Sequence, residues 1–125
     1  MDLNAVEQLK KVLSSVTIEK DQIIYEEGEP LGDGYILSLG KVQLFKNTSD
    51  GKLAEKQTIN SMQVFGVWNS ILGNNVRLFT AKALEKSSAL IIPKATLDKK
   101  LSTLDPFLRL LFRQALSNSE NFGSL

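Results

Sequence analysis

Between Val16 and Pro93 the chain never runs far before meeting residues that reverse it. Short apolar or alternating stretches occupy Val16–Glu19, Gln22–Tyr25, Gly34–Ser38, Lys41–Phe45, Leu53–Ile59, Leu78–Ala83 and Ala89–Ile92. Between them stand EEGEPLGDG, LGK, NTSDGK and EKSS, each with Gly, Pro, Asp, Asn or Ser where a backbone must turn. Closely spaced short strands of this kind predict an antiparallel sandwich or barrel.

Helical periodicity appears only at the two ends. Leu3, Val6, Leu9, Leu13 and Val16 recur every three or four residues, and Asn4 with Glu7 has the form of a capping box. These features predict a helix over about 4–14, its body from Ala5 to Ser14. After Pro93 the segment KATLDKKLS and then LDPFLRLLFRQALSNS predict two more helices within about 94–119. Asp105 is a fitting N-cap, and Pro106 has no N–H to lose in the first turn. Phe107, Leu108, Leu111, Phe112 and Ala115 form a wide apolar face opposite Arg109, Arg113 and Ser117, so this helix should dock on the body or on a twin. With strands over about 16–93 and no repeat or linker, residues 1–125 read as a single domain.

Composition removes whole classes of chemistry. The chain has 125 residues, neither cysteine nor histidine, and a formal net charge of +1. Disulfides, thiolate nucleophiles, imidazole-based triads and zinc sites are thereby excluded. No loop of alternating Asp and Asn offers a calcium site, and Glu26, Glu27 and Glu29 read as a solvated turn, so neither catalytic residues, nor a metal, nor a cofactor is expected. Scattered lysines and a near-neutral charge argue against direct nucleic-acid binding. No apolar run approaches the roughly 20 residues of a membrane span and no secretory signal is visible, which predicts a cytoplasmic protein; Asn47-Thr48-Ser49 then reads as a polar turn.

One segment breaks the strand pattern. From Met62 to Asn75, Phe65, Trp68, Ile71 and Leu72 fall at helical spacing, with Gly66 at the leading edge and Arg77 just beyond. A short helix starting at a glycine presents bare amides, here those of Gly66, Val67 and Trp68, to an anion, and a guanidinium could meet the same anion from the far side. This is a phosphate clamp without metal. The same residues also fit a plain turn followed by an arginine whose stem packs on the surface.

The order of elements, with the Gly-containing loop and Tyr-Ile segment of IIYEEGEPLGDGYILSLGKVQLFK (Gly28, Gly32, Tyr35, Ile36, Gly40) and the stretch FGVWNSILGNNVRLFTAKA, resembles the cyclic nucleotide-binding domain family over Val16 to Ala115. The second stretch is similar to that family's phosphate-binding cassette: Phe65, Gly66, Arg77 and Thr80 hold matching positions, with one residue inserted before Arg77. The resemblance implies a β jelly-roll barrel with an N-terminal helix, a short cassette helix and two C-terminal helices. It implies a regulatory sensor for a cyclic nucleotide, cAMP rather than cGMP, that performs no reaction on its ligand. Gly66, Val67, Trp68, Arg77 and Leu78 would then take the phosphate. Phe65, Asn69, Ser70, Phe79 and Thr80 would face ribose or base, which Leu108, Leu111 and Phe112 of the last helix would cap. A homodimer through that helix and a fused or separate effector are the partners it suggests.

Three departures fall on ligand-facing positions. Val67 replaces the family glutamate that bonds the ribose hydroxyl, Leu78 and Phe79 replace two small residues, and Met62 replaces a glycine. Losing a charged hydrogen bond of roughly 1.5 to 3 kcal/mol weakens binding by about ten- to a hundredfold. The alternative these departures support is a degenerate relative without ligand, serving as an interaction or dimerisation module.

Overall fold

Residues 3–67, 73 and 75–117 are described by the computed structural model of the chain. The turn residues divide its middle into β1 (Ser15–Ile18), β2 (Ile23–Tyr25), β3 (Gly34–Leu39), β4 (Lys41–Asn47), β5 (Leu53–Asn60), β6 (Val64–Phe65), β7 (Thr80–Ala83) and β8 (Ser87–Ile92). Helix α1 (Leu3–Leu9) precedes them, and α2 (Lys94–Ser102) and α3 (Pro106–Ser117) follow. The strands form two antiparallel four-stranded sheets, ordered β1-β8-β3-β6 and β2-β7-β4-β5. No ladder among the described residues joins the sheets' edges, so the layers face each other as open sheets and do not close into a barrel.

Alternation places the core. Ile18, Leu37, Phe65 and Ala89 from the first sheet meet Tyr25, Val42, Leu44, Ile59, Ala81 and Ala83 from the second. Ile36, one residue before Leu37, points to the opposite face, where it packs with Leu90 against Val6 of α1. Strand β3 is thus covered on both sides.

Element boundaries differ from the expectations at informative places. Helix α1 already includes Asn4, so Asn4 is not its cap, and after Leu9 the chain continues in turns closed by Lys10 N donating to Val6 O at 2.9 Å and Leu13 N to Leu9 O at 2.8 Å. Strand β6 was concealed inside the segment read as helical; it pairs Phe65 with Tyr35 and Val64 with Ile36. Residues 68–72, where the cassette helix is expected, lie outside the described residues, as do 118–119. The start of α3 follows the expectation closely: Asp105 Oδ1 accepts from the Phe107 and Leu108 amides at 2.8 and 3.3 Å.

Candidate functional site

The site begins with two loops stitched together by backbone. Gly28 N donates to Arg77 O at 2.8 Å, Arg77 N to Glu29 O at 2.8 Å and Leu31 N to Asn75 O at 2.9 Å. These bonds fix the Arg77 backbone on the β2–β3 loop, and its side chain turns inward, leaving the residue only 3% exposed. Inside, Nη1 donates to Gly66 O at 3.0 Å and Nη2 to Asp33 O at 2.5 Å. The guanidinium carbon lies 4.0 Å from the centroid of the Tyr25 ring. Gly66 eases this approach, since a Cβ there would stand 3.0 Å from Nη1, whereas one on Gly32 would meet Nη2 at an ordinary contact distance of 3.4 Å.

The charge of Arg77 is therefore met by carbonyl dipoles and a ring face, and no carboxylate among the described residues pairs with it. A buried cation without a counter-charge is electrostatically incomplete. Beside it, Tyr25 Oη is sealed from solvent and has no hydrogen-bond partner among the described residues. Burial pushes that phenol's pKa up, with the Arg77 charge acting in the opposite sense and Tyr35 adding to the rise, so the hydroxyl keeps its proton and can donate.

The expected site residues are distributed as follows. Gly66, at φ +77°, presents its carbonyl, not its amide, to the guanidinium. Val67 is buried, and its Cγ1 would stand 2.2 Å from a Cβ on Gly34, so it packs against β3. Phe65 is fully buried between Tyr35, at 5.3 Å between ring centroids, and Tyr25, at 6.3 Å. Thr80 is buried, and its Oγ1 accepts from Glu27 N at 3.0 Å. Leu78 and Phe79 are half-buried and held by Lys46, whose Nζ donates to Leu78 O at 2.8 Å and stands 5.3 Å from the Phe79 ring centroid. Trp68, Asn69 and Ser70 lie outside the described residues.

Leu108, Leu111 and Phe112 remain 44%, 47% and 45% exposed on α3. The same helix nevertheless approaches the cassette, since a Cβ on Gly73 would lie 3.9 Å from an Arg113 guanidinium nitrogen.

Three residues were not singled out from the sequence. Tyr25 supports the guanidinium, and Gln57 carries a second buried oxygen without a partner among the described residues. Asp33 joins the site to the C-terminal helices: its carbonyl takes Arg77, while its carboxylate accepts from Lys94 N, the first amide of α2, at 2.9 Å. Inward parity on strands was the available signal for Tyr25 and Gln57; nothing local in the sequence marks Asp33 as a cap for a helix 61 residues away.

Residues 15–103 match the family model described as a cyclic nucleotide-binding domain. Comparison with curated proteins found no match. Among solved structures, the EAL enzyme Bd1971 in its cAMP-bound form is 31% identical over 83% of this chain, with a TM-score of 0.75; its cGMP-bound form gives 31%, 83% and 0.74. The chain spans 28% and 27% of those two chains, about a quarter of the enzyme's length. A transcriptional regulator from Thermotoga maritima shares the fold at 24% identity and a TM-score of 0.69, the match covering 94% of this chain and 88% of that one. No helix among the described residues is long and apolar enough to cross a membrane.

Proposed function

This chain belongs to the cyclic nucleotide-binding domain family, and we propose that it is a regulatory module that binds cAMP at the Arg77 site and passes the event to its C-terminal helices. The observation that carries this reading is Arg77, a buried guanidinium stacked on Tyr25 whose hydrogen-bond partners among the described residues are carbonyls. A cyclic phosphate offers the full negative charge that those carbonyls lack, and it suits a planar two-pronged donor. Bd1971, whose structures carry cAMP or cGMP, supports the ligand class. The module performs no chemistry on its ligand; an effector, fused or separate, does the downstream work. Direct nucleic-acid contact is not part of this reading, in keeping with the net charge of +1.

A route for the relay is supported by Asp33. When phosphate oxygens take over Arg77, the guanidinium can release the Asp33 carbonyl, and the Asp33 carboxylate holds the start of α2. Only a ligand with different affinity for two arrangements can shift them. Exchange of Asp33 and Gly66 as internal acceptors for ligand oxygens supplies that difference.

The test is a thermal melt with and without cAMP, followed by hydrogen exchange. At a hundred times its dissociation constant, ligand should add about 2.7 kcal/mol of stability. Protection should change at Gly66 and again over 104–115. A second reading, a ligand-free interaction or dimerisation module, is favoured by the two carbonyl partners Arg77 already has and by the exposed face of α3. No stabilisation by cAMP or cGMP at saturating concentration would select it.

A further inference from the structure

The backbone on either side of Arg77 is held in two different ways. Before it, Val76 pairs with Pro30 in an isolated bridge, and the Arg77 amide and carbonyl bond Glu29 O and Gly28 N. After it, the ladder between β4 and β7 does not begin until Phe45 opposes Thr80, which leaves Leu78 and Phe79 as a two-residue bend between the guanidinium and the sheet. A side chain bridges that bend. Lys46 stands two residues beyond the core residue Leu44 on β4 and so shares its side of the strand. Its Nζ donates to Leu78 O at 2.8 Å and lies 5.3 Å from the centroid of the Phe79 ring, which itself packs against the core between the sheets. Glu27 completes the arrangement. Its amide donates to Thr80 Oγ1 at 3.0 Å, its Oε1 accepts from Asn47 N at 2.8 Å, and its Oε2 lies 3.6 Å from Lys46 Nζ. Both ends of the bend are thereby pinned.

An ion pair whose side chains are 40% and 22% exposed contributes little by itself, so the pairing with Glu27 does not explain where Lys46 points. What it holds does. A carbonyl that accepts from an ammonium is bound more firmly than one that accepts from a neutral donor, and a cation over a ring face adds to the hold. Both contacts fall on the two residues that directly follow Arg77. A fork that takes two phosphate oxygens at once works over a narrow range of angles, and a side chain is aimed by the backbone it leaves. We propose that Lys46 is a positioning residue for the anion site, fixing the bend at Leu78 and Phe79 so that the Arg77 guanidinium meets a cyclic phosphate with both prongs. In this role Lys46 touches no ligand. The inference rests on the cyclic nucleotide reading and deepens it by naming the residue that orients the phosphate-binding group.

The test is calorimetry with cAMP on the intact chain, comparing wild type with Lys46→Met and Lys46→Arg, and Arg77→Lys with and without Lys46→Met. Lys46→Met keeps an apolar stem but removes the donor, and it should weaken cAMP binding about tenfold. Lys46→Arg can still donate to Leu78 O and stack on the Phe79 ring, so it should stay within about twofold of wild type. In the Arg77→Lys background there is no planar fork to aim, and the same Lys46→Met change should cost no more than about twofold. An equal tenfold loss in both backgrounds would show that Lys46 acts through its charge alone and would overturn the positioning role. So would wild-type affinity in Lys46→Met, or no rescue by Lys46→Arg. Because the side chain is partly exposed, melts without ligand should move little. A Lys46→Met chain too unstable to titrate would assign Lys46 to the fold and not to the site. Failure of the wild type itself to bind cAMP would strike the cyclic nucleotide reading, and this role with it.

Discussion

Arg77→Ala should weaken cAMP binding by at least about a hundredfold and abolish the ligand's stabilisation of the fold. The reasoning starts from what the side chain replaces when ligand enters. In the structure the fork spans Gly66 O and Asp33 O, two neutral acceptors. Phosphate oxygens in the same place carry charge, and hydrogen bonds to charged groups are the strong ones. Alanine removes both prongs and the only buried cation beside Tyr25 among the described residues. The apo protein should lose less: two carbonyls forfeit donors at about 1 to 3 kcal/mol, and part of this is offset because a desolvated charge is no longer buried. Arg77→Lys keeps the charge but not the planar fork, so its affinity should fall between the two. Calorimetry at a temperature where each variant remains folded separates binding from stability. A variant bound and stabilised like wild type would remove Arg77 from the phosphate site and with it the proposed mechanism.

The strands were legible because their turns are written in residue types that few other structures tolerate. The edges of α2 and α3 were legible too, through Pro93, the Asp105-Pro106 pair and uninterrupted helical spacing. Strand β6 was not, because two residues, Val64 and Phe65, are too few to show alternation, and both also suit a helix. At the site, sequence spacing brings Gly66 and Arg77 to one place but says nothing of which backbone atom of Gly66 faces the guanidinium. That depends on the left-handed φ of Gly66 and on the loop bonds from Glu29 and Gly28. Asp33 was invisible for a different reason. Its importance comes from the chain's return at Lys94, a tertiary event without a local signature. Gln57 could have been found by parity, since Ile59 two residues on is apolar, but a lone glutamine in a strand draws no attention until its buried oxygen is seen to lack a partner among the described residues.

Gly40→Ala should destabilise the protein by about 3 kcal/mol or more, the largest loss expected from adding a single methyl group to any glycine among the described residues. Gly40 is the corner at which the chain leaves β3 in one sheet and enters β4 in the other. Its φ of +109° is a conformation that L side chains rarely adopt. Space forbids the methyl as well. A Cβ there would stand 2.1 Å from Ser87 Oγ and 2.7 Å from Ser87 Cα, and the second of these is backbone in a central strand that cannot swing aside. Displacing Ser87 also breaks the bond by which its Oγ accepts from Lys41 N at 3.2 Å. Strain, overlap and a lost bond add in one direction. The control is Gly51→Ala, where φ is +80° but nothing lies within 4 Å of the added methyl. Only backbone strain acts there, and the cost should stay near 1 kcal/mol. Urea melts of the two variants against wild type measure the difference directly, with m unchanged if the native fold is retained. Equal losses at Gly40 and Gly51 would show that the corner tolerates the methyl by local movement, and that close packing of Gly40 on Ser87 is not what holds the two sheets at their crossing.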